Sequence, residues 1–128
     1  MGHAEVAPES RYGERHRCWR CTEEEARWCA GALLAARERL RVARQRSVDR
    51  RRRAENALVA GQETFAQGLL DAADAHDLAA RAAEGEISTL ESRSRELLGV
   101  AEKLLRAALE TESSDIAGCA ACRRREVA

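Results

Sequence analysis

Apolar positions in the first half of the chain recur at seven: Ala26, Leu33 and Leu40, with Cys29 or Ala30, Ala36 and Ala43 between them. That spacing predicts an amphipathic helix with a coiled-coil seam. Thr22-Glu23-Glu24-Glu25 predicts its start, because a threonine cap, a glutamate three residues on and acids at the positive end of the helix dipole all favour helix initiation there. No proline, and after Gly31 no glycine, interrupts the stretch before Ala60. Gly61 then suits a left-handed cap, and Thr64 with Gln67 repeats the capping pattern, so a turn is expected at 61–64. Phe65, Leu69, Ala72, His76 and Ala79 continue a helical stripe as far as Gly85. Ser88-Thr89-Leu90-Glu91 is a third capping pattern, marking either a break at 85–88 or a weak spot in one helix. Leu90, Ser94, Leu97, Ala101, Leu104 and Ala108 form the cleanest heptad run, and helix should fade near Glu112.

The expected organisation is a flexible lead-in over 1–21, a helical coiled-coil domain over 22–112 and a flexible Cys- and Arg-containing tail over 113–128. Composition supports it. The chain has 26 Ala and 13 Leu against one Phe, two Trp and one Tyr, with only eight Gly and one Pro, which favours helix and excludes an all-β fold. The fold class is therefore all-α, a long antiparallel hairpin that a break at 85–88 would split into three helices. A first helix of about 38 residues would be roughly 57 Å long and needs a long mate. Alanine at the seam buries little area, so self-association or a hetero-complex is expected, through an interface formed by Leu33, Leu40, Leu90, Leu97 and Leu104.

Net charge is zero, yet its distribution is not even. Residues 37–53 carry nine Arg against Glu38 and Asp49, net +7, and residues 54–91 carry eight acids against Arg81, net −7. A fold-back at 61–64 sets the basic block opposite about 72–88, with Asp74, Asp77, Glu84 and Glu86. A turn near residue 70 would set it opposite a mixed segment, so the earlier turn is preferred. Each exposed pair is worth only about 0–1 kcal/mol, so the pattern bears on register more than on stability.

Two C-x-x-C pairs, Cys18/Cys21 and Cys119/Cys122, have the spacing for a tetrahedral zinc site made of four thiolates. With 97 residues between the pairs, the chain ends must meet, which on simple hairpin arithmetic requires the disfavoured turn near 70. The preferred reading is accordingly no cofactor and thiols on mobile ends, with zinc as the alternative. His16 could join Cys18, Cys21 and Cys29 locally, although Cys29 reads better as a small packed apolar residue. A redox role for Cys18/Cys21 lacks the strand–helix scaffold such enzymes use. Arg44, Arg46, Arg50, Arg51, Arg52 and Arg53 form a basic patch that could grip phosphates, making nucleic-acid binding the other alternative. The acidic block and the scarcity of aromatics favour a solvated, acid-matched face instead. No nucleophile–base pair, phosphate-cradling loop or paired catalytic carboxylates is present, so an enzyme is not expected. No apolar run spans a bilayer and residues 1–18 hold no apolar signal segment, so a cytoplasmic protein is expected.

An Arg-, Glu- and Ala-rich helical hairpin of this size over residues 22–112 resembles the small coiled-coil stalk proteins of flagellar and type III secretion export ATPases. The resemblance rests on size and architecture, with no motif matched and no functional residue carried over. It implies a rod engaging an ATPase ring and export-gate components. The expected function is a non-enzymatic scaffold or adaptor acting on protein partners through helix–helix contact.

Overall fold

A computed structural model describes residues 18–111 and Cys119. The expected lead-in before Cys18, His16 with it, and the tail apart from Cys119, including Cys122, lie outside the described residues. Helix α1 spans Trp19–Val59 (41 residues) and α2 spans Glu63–Glu110 (48 residues). They pack antiparallel as an all-α helical hairpin, with no strand among the described residues. No described helix is long and apolar enough to cross a membrane.

The first helix begins three residues before the predicted Thr22. Cys18 is its cap: the Cys21 N–H donates to Cys18 Sγ at 3.4 Å, and the Thr22 N–H and hydroxyl donate to the Cys18 carbonyl at 3.1 and 3.0 Å. Thr22 thus bonds backward from inside the helix. Glu25, expected to reach back to it, is instead 3% exposed, with its carboxylate 3.8 Å from the Arg93 guanidinium.

The turn falls where the sequence places it. Gly61 takes φ of +79°, the Gln62 N–H donates to the Ala57 carbonyl at 2.8 Å, and the Gly61 N–H to the Leu58 carbonyl at 3.0 Å. This is the Schellman arrangement, which satisfies the last carbonyls of α1 and suits glycine because no Cβ opposes the positive φ. Gln62, rather than Thr64, stands before α2, its carbonyl accepting the Ala66 N–H at 2.9 Å. Gln67 donates its side-chain amide to Asp71 at 2.9 Å instead of closing a capping box.

At 85–88 the helix does not break, so there are two helices and not three. A lone glycine costs a helix only about 1 kcal/mol relative to alanine, and Ala83, Ile87 and Leu90 keep one face covered on either side of it. Thr89 donates its hydroxyl to the Gly85 carbonyl at 3.1 Å, bonding back into the helix it was expected to start.

The chain divides into two compact units, Leu33–Thr89 and the remainder. In Leu33–Thr89, Ala36, Ala43, Ser47, Ala54 and Ala57 of α1 are buried, as are Ala66, Leu69, Ala73, Ala80 and Ala83 of α2, both at alternating heptad-like intervals. Near the turn Ala54, Ala57, Ala66 and Leu69 form one cluster, with Leu70 against it. Of the predicted stripe, Leu69 is buried and His76 half-buried, while Phe65, Ala72 and Ala79 give way to their neighbours Ala66, Ala73 and Ala80, and Phe65 is 56% exposed. In the other unit Ala26, Cys29 and Leu97 form a cluster with Leu90 packed on it, while Ala101 and Ala108 continue the buried column.

Across the described residues, eleven of the fifteen buried apolar side chains are alanines and only Leu69 and Leu97 are large aliphatics. Ten large apolar residues are exposed. The seam is built for close approach, and about half of the large apolar side chains among the described residues are exposed outside it.

Candidate functional site

The chemistry that the sequence marks most clearly lies at the start of α1. Cys18 is half-buried in the cap position, and Cys21, one turn on, is 1% exposed. Cys119, nine residues after α2 ends at Glu110, lies beside them, with its Sγ 3.6 Å from that of Cys21. The sulfurs of Cys18, Cys21 and Cys119 all fall within 4.8 Å of one another. Cys21 and Cys119 are not a disulfide, whose sulfurs would be about 2.05 Å apart. Three soft donors converge here, and the Cys18 sulfur already accepts a backbone hydrogen bond.

This meeting coexists with the Gly61 turn, with which simple hairpin arithmetic makes it incompatible. That arithmetic fails because it carries the second arm in register as far as Cys119, whereas α2 ends at Glu110. With 48 residues, α2 outruns α1 by seven, and Cys119 lies back at the first turn of α1, beyond the end of α2. Cys29, by contrast, is fully buried against Ala26 and Leu97 and acts as the packed apolar residue the sequence suggests.

Two of the leucines expected to bind a partner, Leu90 and Leu97, pack inside the chain. Leu97 is 2% exposed and packs on Ala26 and Cys29, Leu90 lies against the same cluster, and Leu33, Leu40 and Leu104 are half-buried. The basic patch is largely matched by acids. Arg44 meets Glu84 at 2.6 Å, Arg51 meets Asp74 at 3.0 Å and Asp77 at 2.5 Å, and Arg39 pairs with Glu86. All four acids predicted to face the block are thus engaged by its arginines, and Asp77 also accepts from the Ser47 hydroxyl at 2.5 Å. Hydrogen bonds from Ser47 and then Arg51 hold the Asp77 carboxyl below its ordinary range. Arg50 contacts Asp49 at 2.9 Å and Arg53 lies 3.9 Å from it, while Arg46 and Arg52 are exposed. A continuous phosphate-gripping row is not what these side chains form.

Two features are not legible in the sequence pattern. The buried Glu25 and its neighbour Arg93 sit 68 positions apart, and nothing local distinguishes Glu25 from the half-buried Glu23 and Glu24 beside it. The outward large apolar residues, among them Leu98 and Leu109, are hidden from a heptad reading because it rewards the seam. No protein family, curated protein or solved structure matches this chain.

Proposed function

We propose that this protein is a non-enzymatic helical scaffold that associates with a second copy of itself through its outward apolar side chains. The observation that carries this reading is the inverted placement of apolar bulk, with alanines inside and ten large apolar residues outside. An alanine seam contributes little burial per residue, so covering exposed leucines adds stability the single hairpin lacks. On α2, Leu98, Leu105 and Leu109 follow at intervals of seven and four, which places them on one helix face, with Leu98 and Leu109 each about half exposed. A stalk role in an export apparatus is a hetero-complex form of the same reading, supported by size and architecture.

Native mass spectrometry and sedimentation across a concentration series test the proposal. The wild-type chain is expected to dimerise, and the double variant Leu98→Asp/Leu109→Asp to be monomeric with helicity unchanged. A wild type that stays monomeric at every concentration, or a variant that still dimerises, rejects it.

A further inference from the structure

The cysteine cluster has the dimensions of a metal site. Four thiolates about 2.3 Å from a tetrahedral Zn2+ stand about 3.8 Å from one another. The Cys21 and Cys119 sulfurs are 3.6 Å apart, and Cys18 lies with them inside a 4.8 Å limit. This is too far for a disulfide and close to the separation of two thiolates that share one metal ion. Cys18 and Cys21 present their sulfurs from a single helical turn, so one end of the site is built before the other arrives. The N–H of Cys21 pointing at Cys18 Sγ, at the positive end of α1, supplies the kind of donor that supports a ligating thiolate.

We propose that Cys18, Cys21 and Cys119 bind one Zn2+ that fastens the segment after α2 to the first turn of α1. Three converging thiolates are a soft donor set that suits Zn2+ and not Mg2+ or Ca2+, which take oxygen ligands. On binding, each ligating thiol gives its proton to solvent and its sulfur lone pair to the metal, with no change of oxidation state. The role is structural: the ion closes a loop of nearly the whole chain, so it adds a constraint that the alanine-rich seam does not provide. This site is independent of the self-association proposed above, and neither needs the other.

The test is metal analysis of the full-length chain purified under reducing conditions without chelator, then dialysed against zinc. About one Zn2+ per chain is expected, with a fall in melting temperature on adding a strong chelator. Cys119→Ser and the double variant Cys21→Ser/Cys119→Ser should lose the zinc and the chelator response while circular dichroism still reports helix. Cys29→Ala, which alters a buried cysteine outside the cluster, should keep both. Cobalt added to the metal-free chain should give thiolate charge-transfer bands and the visible bands of tetrahedral Co2+, absent from the double variant. The proposal is overturned by a metal-free wild type after zinc dialysis or by zinc retained in the double variant. A Cys21–Cys119 disulfide identified by non-reducing peptide mapping of protein kept under these conditions, or iron in place of zinc, would also overturn it.

Discussion

At Asp77 a single carboxylate accepts from both the Ser47 hydroxyl and the Arg51 guanidinium, and both bonds favour its ionised form. Its folded pKa is therefore below the ordinary value of 3.8. A group depressed in this way contributes stability that is fully present above its unfolded pKa and is lost as pH falls through the folded value. Urea midpoints measured from neutral pH downward should thus fall in the wild type below the ordinary aspartate range, and less so in Asp77→Asn. In Ser47→Ala the Asp77 carboxyl should titrate at higher pH by NMR than in the wild type. An unmoved titration would show that Ser47 does not set it. At Gly61 a residue-scale choice has a different result: the positive φ ends α1 at one place and so sets which residue of α2 begins the buried column.

Along each helix the buried positions alternate by three and four, and at most of them the residue is alanine. Small side chains let helices approach closely but leave each layer with little apolar area. The few larger residues therefore carry a disproportionate share, and Leu97, packed on Ala26, Cys29 and Leu90, is the clearest of them. Leu97→Asp would place a charge in a site 2% exposed, at a cost of about 3 kcal/mol or more. Thermal melting by circular dichroism should show a lower midpoint or lost helicity. An unchanged melt would mean that this layer is not packed in solution.

In the unit of Leu33–Thr89 register is decided by charge as well as by apolar layers. Arg39 with Glu86 and Arg44 with Glu84 are exposed pairs, each worth only about 0–1 kcal/mol, yet a turn near 70 would forfeit them by setting the basic block opposite a mixed segment. Arg39→Glu/Arg44→Glu should lower the melting temperature at low salt, and adding Glu84→Arg/Glu86→Arg should restore most of it. A double variant that melts like the wild type at low salt, or a swap that restores nothing, would show that these charges do not specify the pairing.

The helical class, the turn at Gly61 and the pairing of the basic with the acidic block are all legible in the order of residues alone. Each follows from near neighbours or from bulk charge: alanine content, one glycine able to take positive φ, and two blocks of opposite sign. Local signals mislead where a side chain has two partners within reach. Thr22 and Thr89 read as caps but bond back to carbonyls four residues earlier, and the column through Phe65 shifts to Ala66 because the turn sets the phase of α2. The burial of Glu25 beside Arg93 and the meeting of Cys119 with Cys18 and Cys21 emerge only once the chain is folded. Both join residues far apart in the chain: Glu25 meets Arg93 through the pairing of α1 with α2, and Cys119 lies beyond the end of α2, where no heptad pattern places it.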